Sequence, residues 1–113
     1  ICDYKCGMVV SIPLFSDLMN KKYSVEEIRN ILAAHYSGSE IVKVRPVGYT
    51  ENMIGANNFE GRDDMEIEVN GNSDRMVITC RFDNLGKGAS GAAIQCMNLS
   101  LGMDEKKSLV LGE

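Results

Sequence analysis

Between Asp83 and Gly88 the sequence reads Asp-Asn-Leu-Gly-Lys-Gly, and Ala89-Ser90-Gly91-Ala92-Ala93 follows without a break. The chemistry on offer is recognition of a polar or anionic group. A strand ending at Phe82, a tight polar turn and a helix N-terminus direct several backbone N–H groups at one spot, which suits an anion or the polar edge of a cofactor. The glycines let backbone approach a ligand where a Cβ would collide. The structural alternative is local: Asp83 caps the turn or helix, and Asn84 stabilises it through its own side chain.

Other residues invite chemistry less. His35, the single histidine, falls in the last turn of a predicted helix, where an imidazolium complements the dipole. Cysteines stand at 2, 6, 80 and 96. Zinc sites show paired short spacings, and Cys2-x-x-x-Cys6 is one short spacing with no second. Cys80 and Cys96 lie in apolar surroundings and read as small buried hydrophobes, so unpaired thiols in a reducing compartment are expected. Glu66 and Glu68 sit two apart on a predicted strand, which places them side by side on one face. Without a base or metal partner they read as a solvated strand face.

The elements that must position the turn follow from pattern. Gly7 to Phe15 is β-rich, and Pro13 predicts an edge position or a strand exit. Asp17 to Lys22 is a polar connection. Ser24 with Glu27 three residues on is a capping box, with Tyr23 and Ile28 as its hydrophobic staple. The helix it opens places Val25, Ile28, Ile31, Leu32 and His35 on one face, and Gly38 stops it. Glu40 to Val44 alternates as a strand. Thr50 to Arg62 is a long Asn- and Gly-bearing connection anchored by Ile54 and Phe59, with room for a short strand near Ile54. Asp64 to Val69 and Arg75 to Phe82 form a hairpin around Asn70-Gly71-Asn72-Ser73-Asp74. A helix from about Lys87 to Leu101 ends at Gly102.

That last helix is unusual. Gly88, Ala89, Gly91, Ala92 and Ala93 crowd its first turns, although glycine costs ~1 kcal/mol relative to alanine in a helix. Ile94, Cys96, Met97, Leu99 and Leu101 then wrap most of the cylinder, so it wants cover on most sides. One domain of this size does not supply that cover, which predicts a partner domain. The tail from Lys106 to Glu113 is expected to be poorly ordered unless docked. The whole predicts a single α+β domain over 1–113, with a mixed, largely antiparallel sheet covered by helices.

Composition sets the bounds. The chain has 113 residues, 44% hydrophobic and 25% charged, the balance of an ordinary globular domain. A net charge of −4 argues against a nucleic-acid partner. No apolar run is long enough for a bilayer, and residues 1–7 do not read as a signal peptide, so a cytoplasmic setting without a membrane is expected. Ile1-Cys2-Asp3-Tyr4 reads as mid-chain sequence and predicts a fragment of a longer protein.

The run Asp83-Asn84-Leu85-Gly86-Lys87-Gly88-Ala89-Ser90-Gly91-Ala92-Ala93-Ile94-Gln95-Cys96-Met97-Asn98-Leu99, followed by Leu101-Gly102-Met103-Asp104-Glu105, resembles the C-terminal signature of N-acetyl-gamma-glutamyl-phosphate reductases. Gly7-Met8 with the strand after it, Ala34-His35-Tyr36, Ile41 to Val44 and Ile54-Gly55-Ala56-Asn57 resemble further segments of that family, so the likeness runs along nearly the whole chain. It implies a glyceraldehyde-3-phosphate-dehydrogenase-like C-terminal domain. It also implies a place in arginine biosynthesis, where the intact enzyme uses NADP to reduce an acyl phosphate to a semialdehyde through a cysteine thioester. By the same resemblance Asn84, Leu85, Lys87 and Gly88 are cofactor contacts beside the nicotinamide end. Residues 86–113 would pack on an N-terminal dinucleotide-binding domain of the same protein, and the protein would be a homo-oligomer.

The sequence departs from the family in three ways. The Ser-Asn-x-Gly-Cys motif and the glycine-rich dinucleotide fingerprint are absent, so no catalytic residue is assigned on this chain. His35 does not match the family's catalytic histidine. Cys6 stands where many members have arginine, leaving Lys5 to supply the charge or the substrate to be held differently. A rival reading is a non-catalytic dimerisation or anion-binding module of the same lineage.

Overall fold

The computed structural model describes residues 2–49 and 53–112. Ile1, the start of the connection expected from Thr50, and Glu113 lie outside the described residues. Four strands, β1 (Met8–Phe15), β2 (Val42–Val44), β3 (Met65–Gly71) and β4 (Arg75–Phe82), form one sheet in the order β1-β4-β3-β2. β4 runs antiparallel to both β1 and β3, while β2 is parallel to β3. Two helices accompany the sheet, α1 (Val25–His35) and α2 (Gly91–Ser100). The α+β class and the mixed, mostly antiparallel sheet are as the sequence predicts.

β1 is an edge strand, which is why Pro13 is tolerated: its missing N–H interrupts no ladder on the open side. The hairpin closes through Asn72, whose Oδ1 accepts from the amides of Asp74 and Arg75, both at 3.0 Å. Gly71 has φ +119°, and a Cβ there would stand 2.4 Å from the Arg75 carbonyl oxygen, so this corner requires glycine.

α1 begins as expected. The Ser24 amide donates to Glu27 Oε2 at 2.7 Å, and the Glu27 amide to Ser24 Oγ at 3.1 Å. Its inner face is narrower than the periodicity suggests. Val25 joins Val69 and Met76 in the core, with Leu14, Tyr23, Ile28, Leu32 and Ile78 packed around them. Each such side chain contributes roughly 1.5–3 kcal/mol when fully buried. Ile31 and His35 face outward instead, because α1 lies mainly over β3 and β2. Ile54 is likewise exposed and forms no strand, leaving the buried Phe59 as the anchor of that connection.

The expectation of a solvated acidic face on β3 is wrong. Asp64, Glu66 and Glu68 are all buried. Arg62 grips Asp64 with two bonds of 2.8 and 2.6 Å, Arg45 meets Glu66 at 2.7 Å, and Arg81 pairs with Glu66 and Glu68. Alternation along β3 separates two faces but does not say which face meets water. β3 is an inner strand, and cations from β4, from the residues flanking β2 and from the 53–62 loop close over its acidic side. Buried carboxylates are tolerated only with such partners.

The tail is docked. Asn98, buried on α2, donates from Nδ2 to the carbonyls of Glu105 and Lys107 at 3.1 and 2.8 Å. The Asp63 amide donates to the Val110 carbonyl at 2.7 Å, and Lys43 Nζ to the Gly112 carbonyl at 2.8 Å.

Candidate functional site

Register builds the floor of the site. Phe82, the last residue of β4, stands between Met8 on β1 and Met65 on β3, so the three side chains form one row across the sheet. The chain then leaves the sheet at Asp83 and winds into a π-helical turn, Gly86–Ser90, which runs into α2. Gly88 N–H donates to the Asp83 carbonyl at 2.8 Å and Ser90 N–H to the Leu85 carbonyl at 3.1 Å, the five-residue spacing of a π turn. Sequence periodicity predicts a regular helix here and misses the widening.

Close contact inside the chain explains two of the glycines. A Cβ on Gly86 would lie 2.2 Å from the Arg62 carbonyl oxygen, and one on Gly91 would lie 2.2 Å from Asp63 Oδ1. The small residues therefore serve first to let the turn sit against residues 62–63. The outer side of the helix stays open: Ala89, Ala93, Cys96, Met97, Leu99 and Leu101 are exposed. Cys96 is thus not the buried hydrophobe its neighbours suggest.

Asp83 organises the turn. Its buried carboxylate accepts from the Gly61 amide at 2.6 Å and the Leu85 amide at 2.7 Å. Burial alone would raise its pKa. The amides of Leu85, Gly61 and Gly86, with the Cys6 thiol, outweigh that and hold the carboxyl below its ordinary value. The amides of Leu85 and Gly86 at the start of the turn are thus already taken by the chain's own anion.

What remains for a guest is side chains. A cleft of about 410 Å³ opens above the row, lined by Met8, Met65, Phe82, Asn84, Lys87 and Gly88. Asn84, Lys87 and Gly88 are brought together there, while Leu85 is exposed outside the lining. Asn84 Oδ1 accepts from the Gly7 amide at 2.8 Å, tying the start of β1 to the turn. That leaves the Nδ2 donor for a carbonyl acceptor. Lys87 Nζ donates to Gln95 Oε1 at 2.6 Å, and Gln95 Nε2 donates to Glu105 Oε2 at 3.3 Å. Glu105 thus fixes which end of the Gln95 amide faces Lys87, and the ammonium keeps two further protons to offer.

This arrangement can stack a flat ring on Met8, Met65 and Phe82, donate to its amide and neutralise a nearby negative charge. The apolar floor and the two donors can hold a flat ring with a polar edge. The floor residues and the Gln95–Glu105 support are absent from the sequence-based candidates. The phase of alternation on β1, β3 and β4 carries the signal for the floor, but only once the register is known.

Neither Cys6 nor Cys80 is arranged as a nucleophile. Burial raises the Cys6 thiol, helped by its hydrogen bond to Glu60 and by the Asp83 charge, and burial raises Cys80. Nucleophilic cysteines need the opposite shift. Cys6 is buried against Asp83 while Lys5 is exposed, so of that pair only Lys5 presents a charge to solvent. Among the described residues no group of His, Cys, Asp and Glu is placed to hold a metal ion. None of the described helices is long and apolar enough to cross a membrane.

No protein-family model matches the chain. Proteins named N-acetyl-gamma-glutamyl-phosphate reductase from Brucella ovis, Brucella abortus and Brucella melitensis are 39% identical to it over 100 residues, a match covering 85% of this chain and 32% of each relative. The chain thus spans about a third of the length of these curated relatives. The match bears out the family likeness carried by the sequence, and is consistent with a C-terminal domain of that enzyme.

Proposed function

We propose that this chain is the C-terminal α+β region of an N-acetyl-gamma-glutamyl-phosphate reductase, in which it holds the nicotinamide end of NADP and supports the substrate site. The observation that carries the proposal is the cleft over Met8, Met65 and Phe82. The family-like turn delivers Asn84, Lys87 and Gly88 to it, in a chain 39% identical to proteins of that name.

NADPH, when bound, would supply the hydride that reduces the acyl group to the semialdehyde. The residues of this chain bind and orient. The row of Met8, Phe82 and Met65 excludes water from one face of the nicotinamide ring. Asn84, whose Oδ1 is taken by the Gly7 amide, would offer Nδ2 to the carboxamide of the bound ring. Lys87 compensates negative charge, either of the cofactor or of the acyl phosphate. The nucleophilic cysteine of the thioester is expected outside residues 1–113, since none of Cys2, Cys6, Cys80 and Cys96 stands in the Ser-Asn-x-Gly-Cys motif of the family. The dinucleotide-binding domain that carries it is the partner of residues 86–113. The assembled enzyme would be a homo-oligomer acting in the cytoplasm, in arginine biosynthesis.

The test uses the full-length protein in the reverse direction, as phosphate-dependent reduction of NADP by N-acetylglutamate 5-semialdehyde. The full-length protein should turn over, and residues 1–113 alone should not. Turnover by residues 1–113 alone would relocate the nucleophile and overturn the assignment. A second reading, a non-catalytic module of the same lineage, draws support from the exposed Met97, Leu99 and Leu101. A full-length protein with no turnover and no NADPH binding would favour it.

A further inference from the structure

The opposite face of the sheet carries a second cleft, which has no part in the reading above. Glu66 and Arg81 are cross-strand neighbours on β3 and β4, one residue along from Met65 and Phe82 and therefore on the other side. With Arg45, Tyr49, Phe59 and Arg62 they line an open hollow of about 460 Å³. Arg45 lies over the Tyr49 ring at 4.6 Å, and Arg62 over the Phe59 ring at 4.2 Å, so the aromatic faces fix both guanidinium planes.

The charges of this face do not balance. Among the described residues, Lys43, Arg45, Arg62 and Arg81 contribute four positive charges to the ion pairs of this face, and Asp64, Glu66 and Glu68 three negative ones, which leaves one positive charge over. A donor is also left over. Arg81 is 6% exposed, and its Nε is buried without a hydrogen-bond partner. A buried donor with no acceptor costs about 1–3 kcal/mol, and more when it belongs to a charged group. A surplus positive charge on this face, and an unmatched donor on the Arg81 that lines the hollow, call for an oxygen acceptor carrying negative charge.

We propose that this hollow is a binding site for the carboxylate or phosphate group of a small molecule, with Arg81 at its base and Arg45 and Arg62 at its rim. Two guanidiniums held by aromatic rings lose little freedom on closing over an oxyanion, and the planar fork suits both groups. The site lies across the sheet from the Lys87 cleft, so the two can be filled independently.

The test is an NMR titration of the Arg Nε–Hε resonances of this chain with sodium acetate and, separately, inorganic phosphate, at an ionic strength held constant with chloride. The Arg81 resonance should move and saturate in the millimolar range with at least one of them. Acetate alone identifies a carboxylate site, and phosphate alone a phosphoryl site. Lys87→Met should leave the response unchanged, and Arg45→Gln should weaken it at least about tenfold. Arg81→Lys keeps the charge but removes Nε, and should abolish the thermal stabilisation that the same anion gives the parent chain. If Arg81→Lys does not fold, the Arg45→Gln titration decides. A linear, unsaturating shift, an equal response to chloride, or a response that survives Arg45→Gln would overturn the proposal.

Discussion

Asp83 is the residue on which the candidate site turns. It accepts from Gly61 at 2.6 Å and Leu85 at 2.7 Å, pinning the 53–62 loop and the π turn to one point. An asparagine there offers one acceptor and turns an N–H toward the other donor. Bonds to a charged acceptor contribute about 1.5–3 kcal/mol each, so Asp83→Asn should destabilise the fold by that order at neutral pH. The sign of the pH dependence follows from the lowered folded pKa. The stabilisation is fully present above the ordinary value of 3.8 and is lost as pH falls through the lower folded value. Urea midpoints of the two proteins should therefore converge as pH drops below 3.8; a constant gap down to acid would show that the charge is not what stabilises the turn. Lys87 gives the matching functional prediction. Lys87→Met in the full-length protein should weaken NADPH binding by about 10–100-fold, the weight of one charge-assisted hydrogen bond. Gln95→Leu should produce a smaller loss in the same direction, because the ammonium keeps its charge but loses its 2.6 Å anchor. Fluorescence titration of NADPH separates the cases, and an unaltered affinity in Lys87→Met would remove Lys87 from the cofactor contacts and leave it only the acyl phosphate.

The π turn and the hairpin set what an element can and cannot absorb. Gly86→Ala would bring a Cβ to 2.2 Å from backbone at Arg62, which cannot swing aside as a side chain would. Overpacking of this kind costs about 1–3 kcal/mol, and Gly86→Ala should show it in thermal unfolding. Gly88→Ala meets the Phe82 ring at 3.1 Å and the Asp83 carbonyl oxygen at 3.2 Å, much wider gaps than the 2.2 Å at Gly86, and should cost less. Equal losses at the two positions would mean the turn is not held against residues 62–63. The same contrast shows what the sequence made legible. Elements governed by neighbours in the chain were readable: the Ser24–Glu27 capping box, the Asn72 corner, the β1 edge marked by Pro13, the stop at Gly102. Features governed by distant partners were not. Glu66 and Glu68 look solvated until Arg45 and Arg81 arrive from elsewhere, and the close approach of residues 62–63 to Gly86 and Gly91 is equally invisible in the sequence. At the candidate site, Asn84, Lys87 and Gly88 came from the resemblance. Met8, Met65 and Phe82 needed the register, and Leu85 proved to lie outside the cleft lining.

At the scale of the whole molecule, the surface is unfinished in two places. α1 covers only part of the apolar face of the sheet, so Met8, Val10 and Ile12 on β1 remain exposed, and α2 leaves Met97, Leu99 and Leu101 in solvent. Apolar patches of this kind on a folded domain mark contact surfaces. The curated relatives have about two thirds of their length beyond the stretch this chain matches. A domain seated against β1 and α2 would bury both patches and wall in the Lys87 cleft from outside. Methionine supplies the probe. Met97 is 51% exposed and Met8 40% exposed in this chain, and both should oxidise readily under hydroxyl-radical footprinting of residues 1–113. Met76, 4% exposed in the core, is the internal control and should stay protected. In the full-length protein Met8 and Met97 should fall toward the Met76 level. If both remain as reactive as in the isolated chain, the rest of the protein does not sit on these faces, and the cleft at Lys87 must bind its guest without an outer wall.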